Sequence, residues 1–216
     1  MESLKIVSTV KAVSEAIARS IYASEYEPGT MLKEGDLANR FGVSRNTIRE
    51  AMAGLQKSGL LEKKINRGVF VKKITLMDVI DIYHIRVLFE CEAVRTIMTF
   101  DKVPDTIIQA LEAVENYEAH QNQELWMTFA SKDVDFHAAV VKAANSARLA
   151  SLYETIASEV KLCMCQSKEV IPIEEHNRYS HRMVVDAMLS GDADEAIRLT
   201  KAHIDYAIQK FVEGYA

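Results

Sequence analysis

Apolar residues recur at positions 6, 10, 13, 17 and 21, a helical stripe that predicts a first helix over Lys5 to Ser24. Glu27-Pro28-Gly29-Thr30 breaks it. A short second helix is predicted from Glu34 to Phe41. Gly42 closes it, at a position where a left-handed backbone suits glycine. Ser44 offers an N-cap for a third helix, Arg45 to Lys57, which Ser58-Gly59 terminates. Ile48, Ala51, Met52 and Leu55 fall at i, i+3, i+4 and i+7 and form its buried stripe. Two β-prone runs follow, around Leu60-Leu61-Glu62 and Val69-Phe70-Val71, with Asn66-Arg67-Gly68 as the hairpin tip between them.

From Thr75 onward every periodic segment is helical. Thr75-Leu76-Met77-Asp78 reads as a capping box, and Asp192-Ala193-Asp194-Glu195 as another. The predicted helices run over 75–99, 103–121, 124–144, 146–170, 174–190 and 192–213. Asp101, Pro104, Ser146, Pro172 and Gly191-Asp192 punctuate them. The chain is therefore mainly α: a winged helix-turn-helix of three helices plus a β-hairpin over 1–73, then an all-α antiparallel helical bundle over 75–216.

Composition changes this picture little. The 216 residues are 49% hydrophobic and 26% charged, enough for a core that needs no staples. Cys91, Cys163 and Cys165 are too few and too oddly spaced for a disulfide framework, and read as small buried or half-buried residues. The opening Met1-Glu2-Ser3-Leu4-Lys5 lacks a signal-peptide pattern, and no apolar run is long enough to span a bilayer. A cytoplasmic protein without a membrane partner is expected.

Charge changes the picture more. Residues 1–74 hold 13 Lys and Arg against 8 Asp and Glu, a net +5. The remainder holds 13 against 23, a net −10, although the whole chain is −5. A basic head on an acidic body suggests that only the head meets a polyanion. The third helix shows how. Arg45 and Arg49 stand at i and i+4 on a face away from the apolar stripe, with Asn46 and Thr47 beside them, in the first turns that meet base edges in a major groove. Arginine can fork to guanine O6 and N7, and the free N–H groups of a helix start attract phosphate. Lys63, Lys64, Arg67, Lys72 and Lys73 flank the hairpin, which could lie on the backbone or place an arginine in the minor groove. A lone Arg-x-x-x-Arg would be an ordinary solvated face. Here helix, glycine turn, capped helix and basic hairpin all point one way.

Several motifs occur in order: Pro28-Gly29-Thr30-x-Leu32, Asp36-Leu37-Ala38, Phe41-Gly42-Val43-Ser44-Arg45, Ile48-Arg49-Glu50-Ala51, Leu55, Gly59-Leu60 and Asn66-Arg67-Gly68. Together they resemble the N-terminal domain of GntR-family bacterial regulators, over nearly all of 10–73. The resemblance implies that Arg45 and Arg49 read bases, that Ser44 and Thr47 add backbone or base contacts, and that Gly68 lets the wing approach the minor groove. One position departs. Many relatives of the FadR branch carry arginine where this chain has Gly35, so the operator is expected to differ there.

The body holds a second constellation. Of its histidines, His84, His120, His137, His176, His181 and His203, one stands four residues after Asp133 on the same helix face: His137. That spacing suits two ligands of one metal. His181 precedes Gly191 by 10 residues and His203 follows it by 12, so a helical hairpin at Gly191 brings both to similar heights, where they could face each other. Spacing alone also allows packing histidines and an Asp133 paired to Lys132 or to a neighbouring helix.

Arg86-x-x-x-Glu90, Asp133-x-x-Phe136-His137, Ala143-Ala144-Asn145 with Leu149, His181, Ala187-Met188-Leu189-x-Gly191-Asp192, Ala196 and His203 are similar to the all-helical FCD effector domain of FadR-type regulators, in its shorter, VanR-like version. In metal-binding members the aspartate and three histidines at these places hold a divalent cation, which assigns Asp133, His137, His181 and His203 as ligands. His176 is a neighbour of His181, but the distance to Gly191-Asp192 favours His181. The same resemblance turns Arg86 toward the cavity to pair with an effector carboxylate and puts Asn145 in its lining.

Neutral imidazoles with one carboxylate suit zinc, nickel, manganese or iron, and a cation with an arginine opposite makes a two-point clamp for a small organic acid. The expectation is a homodimer that binds a short palindromic operator in double-stranded DNA, most simply as a repressor, under the control of such an effector. A metal-dependent hydrolase with an accessory DNA-binding domain is the alternative, since Asp/His₃ can activate water. Against it, no HExxH-type motif supplies an adjacent base. A DNA-binding structural or repair protein with no effector fits poorly with the acidic, pocketed body.

Overall fold

The computed structural model describes residues 8–118, 123–167 and 180–215. The chain forms two compact units, Met1–Lys73 and Ile74–Ala216.

In the first unit, α1 spans Thr9–Tyr22, starting at Ser8, whose side chain accepts the Lys11 N–H. The predicted beginning of this helix at Lys5 lies outside the described residues. Helices α2 (Glu34–Phe41) and α3 (Arg45–Lys57) follow, separated by Gly42 at φ 64°, ψ 33°. A side chain at Gly42 would have to enter the left-handed region. The α3 stripe Ile48, Ala51, Met52 and Leu55 is buried, and joins Val13, Ile17 and Ile21 of α1 and Leu37 of α2 in one small core. The hairpin pairs β2 (Leu61–Lys64) with β3 (Gly68–Val71). A third strand, β1 (Met31–Leu32), completes the sheet in the order β1-β3-β2, with Leu32 opposite Val69. Two residues carry no readable alternation, so periodicity did not predict β1. Its place comes from pairing with an otherwise open β3 edge.

In the second unit the described residues form six helices: α4 (Leu76–Ile97), α5 (Asp105–Glu118), α6 (Gln123–Ala143), α7 (Ala147–Gln166), α8 (His181–Ser190) and α9 (Ala193–Tyr215). The Thr75 capping box forms in both directions: Thr75 N–H donates to Asp78 at 2.9 Å and Asp78 N–H donates to Thr75 Oγ1 at 3.2 Å. Helix α8 starts at His181 with Ser180 as its cap, and the stretch 174–179 predicted to lead into it is outside the described residues, as are His120 and His176. Gly191 at φ 81° ends α8, and Asp192 accepts the Glu195 N–H at 3.0 Å to open α9. Helix α4 packs on α9, α6 and α7, and α8 on α9, which points side chains of α4, α6, α8 and α9 at a common interior. Among the described residues no helix is long and apolar enough to cross a membrane. Cys163 and Cys165 are buried, Cys91 is half-buried, and none of the three is in a disulfide.

Candidate functional site

Each unit carries one constellation. In the first, Ser44 Oγ accepts the Thr47 N–H at 3.1 Å and lies 2.9 Å from Thr47 Oγ1. This cap fixes the first turn of α3 and leaves Arg45, Asn46 and Arg49 exposed. Arg49 is already engaged within the protein. Its Nε donates to Glu34 Oε1 at 3.1 Å and its Nη2 to Oε2 at 2.8 Å, a fork-on-fork pair with the first turn of α2. The Arg49 hydrogen bonds hold the Glu34 carboxyl below its ordinary value, helped by the charges of Arg49 and Arg45. A Cβ at Gly35 would stand 3.6 Å from Arg45 Nη2, so Arg45 lies against the notch that this glycine leaves. In the wing, Arg67 and Gly68 are exposed at the tip, where Asn66 has φ 58° and Gly68 φ 110°. A Cβ at Gly68 would also meet Met31 Sδ at 3.4 Å.

In the second unit, Asp133 and His137 of α6, His181 at the start of α8 and His203 of α9 converge, each offering a ligand atom within 4.8 Å of every other. His137 Nε2 lies 3.2 Å from both His181 Nε2 and His203 Nε2, and His181 Nε2 lies 3.2 Å from Asp133 Oδ1. Nitrogens each about 2.1 Å from a shared ion stand about 3.0–3.4 Å apart, so this donor set fits a divalent transition metal. The first three residues are buried and His203 is half-buried. A pocket of about 240 Å³, counting its open mouth, is lined by Glu90, Phe136, His137, Val140, Val184, Thr200 and His203.

Behind the histidines runs a buried polar network that spacing did not predict. Glu90 Oε2 lies 2.6 Å from His137 Nδ1, while Oε1 accepts from Arg86 Nε at 2.9 Å and from the Tyr153 hydroxyl at 2.8 Å. Burial opposes a charge on Glu90, yet its close contacts with His137 Nδ1 and Arg86 hold its carboxyl well below the usual range. Burial likewise opposes a charge on Asp133, and the His181 hydrogen bond with the nearby charges outweighs it. Burial pushes His137 below its ordinary value against the pull of Glu90, which favours the neutral ring. The Glu90 contact then places the His137 proton on Nδ1 and leaves the Nε2 lone pair for the cluster.

Residues 9–71 match the bacterial regulatory proteins of the gntR family, and residues 81–206 match the FCD domain. The chain belongs to the GntR family and carries an FCD domain. It is 27% identical to the "Probable D-xylose utilization operon transcriptional repressor" of Paenarthrobacter nicotinovorans, over 89% of this chain and 84% of that one. It is 26% identical to the "Uncharacterized HTH-type transcriptional regulator YdhC" of Bacillus subtilis (strain 168), over 88% of this chain and 85% of that one. In fold it is similar to the crystal structure of a transcriptional regulator GntR from Rhodococcus sp. RHA1, at a TM-score of 0.82 and 27% identity, covering 97% of this chain and 100% of that one. The gntR family is one of bacterial regulatory proteins and these relatives are named as transcriptional regulators, and the hydrolase alternative falls with that.

Within this GntR-family chain, not every expected site residue joins its group. Arg86 is 2% exposed and is not part of the pocket lining. Its Nε is taken by Glu90, its guanidinium stacks 4.7 Å from the centre of the Tyr83 ring, and its Nη2 is buried with no hydrogen-bond partner. Asn145, expected in the cavity wall, is instead exposed in the turn between α6 and α7 at φ 56°. Its short polar side chain suits that left-handed position, and it lies two residues past the end of α6, which itself runs about 9 Å beyond His137. Two residues of the network were given no role from the sequence, Glu90 although it stands in the Arg86-x-x-x-Glu90 motif, and Tyr153. Glu90 could have been read from its i, i+4 spacing to Arg86, whereas Tyr153, 63 residues further on, leaves no sequence signal.

Proposed function

We propose that the protein is an effector-controlled regulator of the GntR family, most simply a repressor, whose head reads a short palindromic operator and whose body senses a small organic acid. Arg45 and Arg49 read base edges. Ser44 and Thr47 fix the helix start against the backbone, and Arg67 and Gly68 bring the wing to the minor groove. The division of labour follows the two units, DNA binding in 1–73 and effector binding and dimerisation in 75–216. Exposed Leu88 (71%) and Ile85 (37%), three positions apart on α4, give a second copy an apolar strip to cover. Two copies related by a two-fold axis present two recognition helices to two half-sites.

One observation carries the sensing half of this reading: four potential ligands, from three helices, converge within 4.8 Å of one another, three of them buried. Asp133, His137, His181 and His203 would hold a divalent transition metal ion, zinc, nickel, manganese or iron. The bound ion supplies a positive centre that attracts a carboxylate. Arg86 Nη2, outside the pocket lining but buried beside Glu90 and without a partner, is the donor that an acid's second oxygen would satisfy once it reached behind that wall. Glu90 and Tyr153 keep that guanidinium and His137 in place. An effector then shifts the DNA-binding equilibrium by its difference in affinity for the competent and incompetent arrangements. A relative named for a D-xylose utilization operon is in keeping with control by a small catabolic metabolite.

The test is a thermal-shift screen of sugar acids, hydroxy acids, dicarboxylates and amino acids on metal-loaded protein, followed by titration of DNA binding with each hit. A ligand selective for the native state raises its melting temperature. If no acid both stabilises the loaded protein and alters DNA binding, the sensing assignment is wrong.

A further inference from the structure

The first turn of α2 lies beside both arginines of α3 and grips one of them. Arg45 lies over Gly35, and Arg49 is forked onto Glu34 through two hydrogen bonds of 3.1 and 2.8 Å. Arginine has five N–H donors in one plane. Glu34 takes the Nε–H and one Nη2–H, on one side of the guanidinium. That leaves three donors, including the paired edge formed by Nη1 and Nη2, the edge that can fork to guanine O6 and N7. The Arg49 side chain is 63% exposed, so without this grip a long, solvated side chain would sample many rotamers. With it, the plane and the outward edge of the guanidinium are set before any DNA arrives.

An acidic residue beside a polyanion site is otherwise an electrostatic liability, which makes the placement of Glu34 informative. We propose that Glu34 is a specificity-determining positioning residue: it pre-orients Arg49 so that this arginine reads one base pair rather than gripping phosphate wherever it can. The inference rests on the reading of Arg49 as a base-contacting residue and goes beyond it. Orientation costs little in affinity for arbitrary DNA and gains discrimination, because an ordered donor pair loses less freedom on meeting the correct base and matches the wrong base poorly.

The experiment is selection from a pool of random-sequence duplexes by the full chain, as wild type, Arg49→Ala, Glu34→Ala and Glu34→Gln, with circular dichroism on each. Binding of the selected duplex and of its single-position substitutions is then titrated by fluorescence anisotropy. The position lost in Arg49→Ala is the one that Arg49 reads. Glu34→Ala is expected to lose preference at that same position, with discrimination there falling about tenfold, while affinity for random duplex stays level or rises. Glu34→Gln keeps one acceptor for Arg49 and falls between the two. Full discrimination by Glu34→Ala at the position Arg49 reads overturns the proposal and leaves the reading of Arg49 standing. A uniform tightening on all sequences with an unchanged motif does the same, since Glu34 would then act only as a repelling charge. A wild-type motif from Arg49→Ala removes both. Loss of helical signal in both Glu34 variants also overturns the proposal, because it would make Glu34 a folding residue.

Discussion

Glu90 of α4 and His137 of α6 meet through a 2.6 Å contact between Oε2 and Nδ1, with both side chains almost fully buried. This contact joins two functions. On one side it sets which nitrogen of His137 faces Asp133, His181 and His203. On the other, Glu90 Oε1 is the partner of Arg86, so the carboxylate neutralises the cation that the body buries. A ligand that drew Arg86 away would therefore be felt at His137 through one shared group.

Replacing Glu90 by Gln removes the charge and keeps the shape. The buried guanidinium of Arg86 loses its counter-ion, at a cost of about 3–5 kcal/mol, and the His137 ring loses its acceptor carboxylate. Metal affinity is expected to fall about 10- to 100-fold, the usual effect of losing such an outer partner. Calorimetric titration with zinc or nickel, beside thermal denaturation, measures both. Wild-type metal affinity in Glu90→Gln would show that His137 orients without it.

Tyr153→Phe is a gentler probe of the same network. It removes a 2.8 Å hydrogen bond to an ionised, buried carboxylate and little else. A loss of about 1.5–3 kcal/mol is expected, as for hydrogen bonds to charged groups, read from the urea midpoint of the body. No change in midpoint would mean that a water replaces the hydroxyl.

His181→Ala takes one nitrogen from the cluster, which lies in the body unit and not in the head. Metal retained after dialysis, measured by elemental analysis, should drop well below the wild-type ratio, while affinity for random duplex DNA stays the same. Chelator added to wild type should lower its melting temperature, and the variant should not respond, because only a protein that binds the ion is stabilised by it. Unchanged metal content in the variant would sink the ligand assignment.

Arg49→Ala removes the forked side chain from α3. A loss of about 1–3 kcal/mol in operator binding is expected, with relaxed preference at one base pair per half-site. Binding to nonspecific duplex should weaken far less. Equal losses on both kinds of DNA would reassign Arg49 to the phosphate backbone.

Gly191→Ala tests the hairpin that aligns His181 with His203. The glycine sits at φ 81° with no atom near enough to clash with a new Cβ, so the cost is conformational, about 1–2 kcal/mol. A lower melting temperature with metal still bound is the expected result. A stability equal to wild type would mean that the turn relaxes to another conformation.

Local physics made much of this protein legible from sequence. The stripe at Ile48, Ala51, Met52 and Leu55, the Ser44 and Thr75 caps and the glycine stops at 42 and 191 depend on neighbours within one or two turns, and the structure contains each of them. The meeting of Asp133, His137, His181 and His203 was half legible: i, i+4 spacing put two on one face, and the rise per residue put the other two at one height. Which faces turn inward was left to packing. Three features were decided only by tertiary structure. Strand β1 exists because β3 has an edge to fill. Glu34 grips Arg49 because the glycine turn lays the start of α2 beside α3. Tyr153 closes the network on the i, i+4 pair of Arg86 and Glu90, because burying a charge requires partners wherever the fold can bring them, and a contact across 63 residues writes no periodicity into the chain. Asn145 shows the reverse case. Its identity answers a left-handed turn, a local demand that sequence alone did not separate from a place in a cavity wall.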